Sequence, residues 1–204
     1  MSFYSERILP RLIQLSMNQE QFEPYRRRVT GGARGRVLEI GVGSGLNLPL
    51  YPSGTKVVGL DPSPTLLSMA RSVAADRSPS IELIEGSAES IPLPDHSMDT
   101  VVTTWTMCSI PDLRTALAEV RRVLKADGRL LFAEHGLSTD ANVVRWQNRL
   151  TPIWKRVGGG CHLNRPIDAL IAAAGFRITE LNTGYMKGPR PLTFMYQGEA
   201  SLMR

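Results

Sequence analysis

The sequence predicts an α/β protein built on a parallel, doubly wound sheet. Three observations carry this. Short apolar runs ending in glycine or an acid alternate with helical stretches from residue 36 onward. A glycine-rich turn follows the first of these runs directly. The 204 residues suffice for one domain with a sizeable core, with no internal repeat or low-complexity linker to divide it.

The elements follow in order. Residues 5 to 30 place Ile8, Leu9, Leu12, Ile13, Leu15 and Met17 at roughly helical spacing, with Pro10 and Pro24 limiting any helix. This stretch reads as a helical arm or lid over residues 1–30, ahead of a single domain over 31–204. "RVLEIG" (36–41) and "TKVVGLD" (55–61) read as buried strands, and "PTLLSMARSVAAD" (64–76) as a helix. Strands "IELIEG" (81–86) and "MDTVVTTW" (98–105) come next, then helix "DLRTALAEVRRVLK" (112–125). A turn at Asp127-Gly128 leads into strand "RLLFAEHG" (129–136). "NVVRWQNRLTPIWKRV" (142–157) is one long helix or two broken at Pro152. Helix "RPIDALIAAAG" (165–175) and strands "FRITELNT" (176–183) and "LTFMYQGEA" (192–200) complete the chain.

Composition narrows the class. A net charge of +5 allows an anionic partner, but the basic residues are scattered apart from Arg26–Arg28, so a mildly basic surface suffices as an account. Two cysteines, Cys108 and Cys161, imply no disulfide framework and fit a reducing compartment. The first 22 residues hold no long apolar run, so neither a signal peptide nor a spanning helix is expected, and a cytoplasmic protein is.

"LEIGVGSGLN" (38–47) is the most informative stretch. A buried strand runs into Gly41, Gly43 and Gly45, where glycine permits a tight turn and lets backbone N–H groups approach a ligand. The spacing is G-x-G-x-G, and Leu46 replaces the third glycine of a dinucleotide-binding turn. Asp61 closes the second strand, where a carboxylate can accept from both ribose hydroxyls of an adenosine. "EGSAESIPLPDHSMD" (85–99) puts Ser87, Ala88 and Glu89 near an adenine edge. Thr104 and Trp105 end the fourth strand over the carboxyl edge of the sheet, where ligands bind in such folds.

These residues together closely resemble the class I S-adenosylmethionine-dependent methyltransferases over roughly residues 36 to 136. The resemblance implies a Rossmann-like seven-stranded sheet whose last strand is antiparallel, with S-adenosylmethionine as cofactor and S-adenosylhomocysteine as product. It implies a cofactor set of Glu39, Gly41, Gly43, Gly45, Asn47, Asp61, Pro62, Ser87, Ala88, Glu89, Thr104 and Trp105. Glu39 and the glycine loop would face the methionine part, Asp61 the ribose, Ala88 and Glu89 the adenine, and Thr104 the sulfonium.

The later segment "VGGGCHLNRP" (157–166) admits several readings. Adjacent Cys161 and His162 make an awkward metal pair without a C-x-x-C or H-x-x-x-H partner, and no metal is expected. Cys161 as a covalent nucleophile is disfavoured, because methyl transfer from a sulfonium can be direct. Gly158–Gly160 can form a turn ending the long helix, with Asn164 capping the next. "AEHG" (133–136) with residues 145–165 is similar to the thiol S-methyltransferases of the methyltransferase-like group. Glu134, His135, Trp146, Gln147, Pro152, Trp154, Gly160, Cys161 and Arg165 fall on that group's positions. The animal members' N-terminal hydrophobic anchor has no counterpart in these residues, so membrane contact is not expected.

That resemblance implies a small thiol as acceptor. The reactive form is a thiolate, and a free thiol titrates near ~8.5, so a cationic or hydrogen-bonding neighbour would help. His135, His162 and Arg165 are the catalytic candidates, with His135 the favoured base or orienter. Trp105, Trp146 and Trp154 could wall an apolar pocket or simply pack, and Cys108 reads as a small buried residue. Other readings stay open: an amine, phenol or phosphatidylethanolamine headgroup as acceptor, or a non-catalytic cofactor-binding regulator. No nucleic-acid partner is expected, because "TWTMCS" stands where an N/D-P-P-Y-type tetrapeptide would.

Overall fold

The computed structural model describes residues 8–75 and 80–203. Residues 5–7 of the expected N-terminal helix and Asp76 of the expected 64–76 helix lie outside these. Seven strands form one sheet: β1 (Arg36–Ile40), β2 (Lys56–Asp61), β3 (Ile81–Glu85), β4 (Met98–Thr104), β5 (Leu124–His135), β6 (Phe176–Tyr185) and β7 (Phe194–Leu202). Their order is β3-β2-β1-β4-β5-β7-β6. β1 to β5 pair in parallel, and β7 runs antiparallel between β5 and β6. The expected doubly wound sheet with an antiparallel last strand is present.

Alternation along the strands explains the two layers. Leu38 and Ile40 of β1, Val101 of β4, and Leu130 and Phe132 of β5 face one side. There they meet Leu113, Leu117 and Val120 of α4 (Leu113–Val123) and Ile167 and Ile171 of α6 (Ile167–Ala173). Val37, Val102, Leu131 and Ala133 point the other way. They pack on Val29 of α2 (Glu23–Gly32) and on Leu67, Ala70 and Ala74 of α3 (Pro64–Ala75). A side chain on each pleat face with period two is what forces helices onto both sides.

Local boundaries have identifiable causes. Asp112 caps α4, its Oδ1 accepting from the Arg114 and Thr115 amides at 3.1 Å each. The Asp127-Gly128 pair does not begin β5 as expected. The strand already pairs Leu124 with Met98, and residues 125–128 are absorbed by a register shift before Arg129 meets Thr100. Pro152 does not break the long helix: α5 runs unbroken over Ala141–Val157. It ends, as expected, in a glycine turn, where Gly159 and Gly160 adopt φ of 64° and 86°. Asn164 does not cap α6, which has no side-chain cap; its Nδ2 instead donates to Asn148 Oδ1 at 2.8 Å. The N-terminal stretch forms α1 (Leu9–Met17), a 3-10 turn (Glu20–Phe22) and α2. Among the described residues no helix is long and apolar enough to cross a membrane.

Candidate cofactor pocket and acceptor site

The chain winds outward from β1 through β2 to β3, then returns to add β4 on the other side of β1. The carboxyl ends of β1 and β4 therefore part, and a crevice opens there. It holds a cavity of about 310 Å³. Glu39, Gly41, Gly43, Asp61, Pro62, Ser87, Ala88, Thr104 and Trp105 line it, all members of the expected cofactor set. Gly45, Asn47 and Glu89 support it from behind. A Cβ on Gly45 would stand 3.1 Å from Ala70 Cα, so glycine lets α3 close on the turn. Glu89 Oε2 accepts from Ser87 Oγ at 2.9 Å and its Oε1 from the Asp112 amide at 2.7 Å, tying this loop to the start of α4.

The glycine turn makes a cradle. Gly41 and Gly43 have φ of 69° and 57°, in the left-handed region. A Cβ on Gly41 would fall inside the Thr106 side chain, whereas one on Gly43, which lines the cavity, would meet nothing closer than 3.9 Å. Asp61 Oδ2 accepts from the Gly43 amide and Oδ1 from the Ser63 amide, each at 2.9 Å. Each oxygen keeps a lone pair, so a vicinal diol can still be bound. Burial raises the Asp61 pKa, and the two backbone N–H groups oppose it.

Glu39 is fully buried in a network that the sequence did not reveal. Its Oε1 accepts from Asn47 Nδ2 at 2.8 Å and its Oε2 from the Tyr51 hydroxyl at 2.9 Å. Burial pushes its carboxyl up to about 7, against the pull of Tyr51, Asn47 and the Arg26 charge. Asn47 Nδ2 also donates to Thr104 Oγ1 at 3.0 Å, and Asn47 Oδ1 accepts from Arg26 Nη1 at 2.9 Å. Arg26 in turn lies 5.1 Å from the Trp105 ring centroid, and Phe22 meets that ring edge-on at 4.9 Å. Arg26 is thus buried at the site and is not part of an exposed basic run. Ile13, Gln14 and Met17 of α1 line the same cavity.

The catalytic candidates stand elsewhere. Neither His135, His162 nor Arg165 lines the cavity. Arg165 donates through Nη1 to the Met107 carbonyl and through Nη2 to the Pro111 carbonyl at 3.4 Å. The His162 amide donates to the Cys108 carbonyl at 2.8 Å, and its Nδ1 lies 3.1 Å from the same oxygen. His135 Nε2 stands 3.0 Å from Cys161 Sγ, with both residues buried. These residues hold the loop after β4 in place from behind the cavity wall. Glu134 does the same: its two oxygens accept from the Thr106 and Met107 amides at 3.1 Å each, and burial raises its pKa to about 8.

Of the three tryptophans only Trp105 lines the cavity; Trp146 and Trp154 are 55% and 36% exposed on α5. Gln147 accepts from the Ser138 amide at 2.9 Å and donates to the Gly136 carbonyl at 2.9 Å, fastening α5 to the end of β5. Tyr51 gave no signal in the sequence and Arg26 read only as part of a basic run, because their contacts join segments 12 and 21 residues apart.

Comparison with known proteins agrees with the geometry. The methyltransferase-domain family profile matches residues 38–132. Thiol S-methyltransferase TMT1B of Rattus norvegicus is 40% identical over 149 residues, covering 71% of this chain and 61% of that protein. The chain therefore spans less than two thirds of that relative's length. Demethylmenaquinone methyltransferase of Deinococcus radiodurans is 31% identical over 175 residues, covering 80% of this chain and 73% of that protein. The crystal structure of YcgJ from Bacillus subtilis superposes with a TM-score of 0.63 at 25% identity, covering 80% of this chain and 72% of that one.

Proposed function

The chain belongs to the S-adenosylmethionine-dependent methyltransferases, and we propose that it methylates a small soft nucleophile, sulfide or an alkanethiol. The observation that carries the acceptor class is the character of the cavity. Beyond the carboxylates and glycines that suit the cofactor, Ile13, Met17, Trp105, Ile110 and Pro111 give its wall an apolar stretch, beside the polar Gln14, Arg26, Thr106 and Ser109. A small thiol can enter such a wall neutral and lose little, whereas an acceptor that is a permanent cation would leave its water uncompensated. The 40% identical relative named as a thiol S-methyltransferase supports the same class.

The residues fit the cofactor: the Gly41–Gly45 turn leaves backbone room, Asp61 offers free lone pairs for a ribose, and Ser87–Ala88 border the position of a base. S-adenosylmethionine supplies an electrophilic methyl on a sulfonium. The chain's own part is positioning. Thr104 and Trp105, which line the cavity, would border the acceptor, and Glu134 and Arg165 brace the following loop by hydrogen bonds. No histidine lines the cavity, so on this reading the acceptor's thiol proton passes to water, and the pH profile carries the thiol's own ionisation together with that of Glu39.

The test is turnover with S-adenosylmethionine carrying a deuterated methyl group. Sulfide, methanethiol, longer thiols, simple amines and phosphatidylethanolamine vesicles are offered separately, and product and S-adenosylhomocysteine are followed by mass spectrometry. Labelled methyl sulfides at one equivalent per S-adenosylhomocysteine are expected. Labelled amine or lipid would replace the thiol reading, and tight cofactor binding without any product would favour a regulatory module.

A further inference from the structure

Behind the acceptor end of the cavity, three metal-ligating side chains from three separate segments converge. Cys108 lies on the loop after β4, His135 ends β5, and Cys161 follows the glycine turn of α5. They are 2%, 7% and 9% exposed. Their ligand atoms all lie within 4.8 Å of one another. His135 Nε2 is 3.0 Å from Cys161 Sγ, and Cys108 Sγ, held by the Trp105 carbonyl at 3.6 Å, completes the group. The three groups thus close a triangle around one point.

We propose that Cys108, His135 and Cys161 form a three-ligand site for a borderline-soft divalent cation, Zn²⁺. Two sulfurs and one imidazole nitrogen are a characteristic zinc donor set. Tetrahedral zinc, with bonds of about 2.3 Å to sulfur and about 2.0 Å to nitrogen, holds its ligands roughly 3.5–3.8 Å apart. The His135–Cys161 contact needs to open by only about half an ångström to reach that spacing. On binding, two thiol protons leave to solvent, His135 binds neutral through Nε2, and a fourth position remains for water or another small donor. Two thiolates balance the charge of the ion, so the buried site carries no net charge.

The ligands are already held in place. Glu134 accepts from the Thr106 and Met107 amides, Arg165 donates to the Met107 and Pro111 carbonyls, and the His162 amide donates to the Cys108 carbonyl. The Cys161 amide donates to the Gly158 carbonyl at 3.2 Å. So many contacts on the flanks of two cysteines set their side chains before any ion arrives. The same flanks, Thr106, Ser109, Gly158 and Gly159, line the cavity, so the ion would fix its acceptor end.

The test uses the full chain, reduced and without S-adenosylmethionine, so that it does not depend on turnover or on the acceptor. Zinc is measured by mass spectrometry on the purified protein, and Zn²⁺ affinity by competition with a chromophoric chelator. Cobalt(II) is loaded in parallel to look for thiolate-to-cobalt charge-transfer absorption. One zinc per chain is expected, with affinity falling by at least about 100-fold in Cys108→Ser and in Cys161→Ser. The wild-type cobalt spectrum supplies the answer should either variant fail to fold. A wild-type chain that takes up no zinc, a cobalt spectrum without thiolate bands, or serine variants that bind as well as the parent would each overturn the proposal. So would a Cys108–Cys161 disulfide that forms equally fast with and without Zn²⁺.

Discussion

Replacing Glu39 with glutamine should make the ligand-free protein more stable, by an amount that grows as pH rises from about 4.5 and levels off above about 7. Glu39 ionises at about 7 in the fold and at its ordinary 4.5 when exposed, and burial is the main cause. Its folded pKa is the higher of the two. Between them the fold therefore binds more protons than the unfolded chain, and stability falls as pH rises through that window. The carboxylate costs about 3 kcal/mol once pH exceeds 7, at 1.36 kcal/mol for each factor of ten. Glu39→Gln removes that cost and keeps an oxygen to accept from Asn47. Urea unfolding of both proteins without cofactor, at several pH values from 4 to 8, gives the comparison. The two should be nearly equal at the acid end and differ by about 3 kcal/mol at the alkaline end, a Tm gap on the order of 6–12 °C. Parallel curves across the range would refute the claim that burial holds this carboxyl protonated. A costly carboxylate kept at a binding site points to a gain on binding, so the variant should also bind S-adenosylmethionine more weakly.

Four further outcomes are expected. Asp61→Ala should weaken S-adenosylmethionine binding by at least about 10-fold in calorimetry, since a charged acceptor contributes about 1.5–3 kcal/mol per hydrogen bond; unchanged affinity would mean the cofactor lies elsewhere. Gly41→Ala, which strains a positive φ and strikes Thr106, should abolish cofactor binding while the far half of the sheet keeps its amide-exchange protection. Arg26→Ala should lower stability by about 2–3 kcal/mol by chemical denaturation, because Asn47 Oδ1 and the Trp105 face lose their partner in a buried network. Arg165→Ala frees the Met107 carbonyl. It should raise the acceptor KM several-fold while cofactor affinity stays within about 3-fold, a split that steady-state kinetics would resolve.

Much of the fold was legible because the sheet has a strong local signal. Apolar runs such as 36–40 and 98–104 sit between helices with one apolar stripe, and the antiparallel last strand followed from the family resemblance. The cofactor half was legible for a related reason: Gly41, Gly43 and Asp61 are required by backbone conformation and by one short loop. The acceptor side was not. His135, His162 and Arg165 carry the chemistry that a sequence reading seeks, yet each side chain turns to a sulfur or a carbonyl behind the wall. Cys108, His135 and Cys161 are separated by about as many residues as a whole βα unit. No spacing rule joins them; only the stacking of β4, β5 and the α5 turn does. Arg26 looked like surface charge because three arginines adjoin, and helical geometry sends that one inward.

The insertion of β7 between β5 and β6 has a consequence for how the protein is made. β5 carries Glu134 and His135, and its outer edge pairs with residues 195–201. Until the ribosome has released that stretch, β5 has an open edge and β6 has no neighbour at all. The half built on β1 to β4 can assemble early during synthesis, but the β5–β7–β6 half must wait for β7. A nascent chain thus passes through a stage in which the glycine turn and Asp61 are in place while the edge of β5 is bare and open to chaperones or to another unfinished copy.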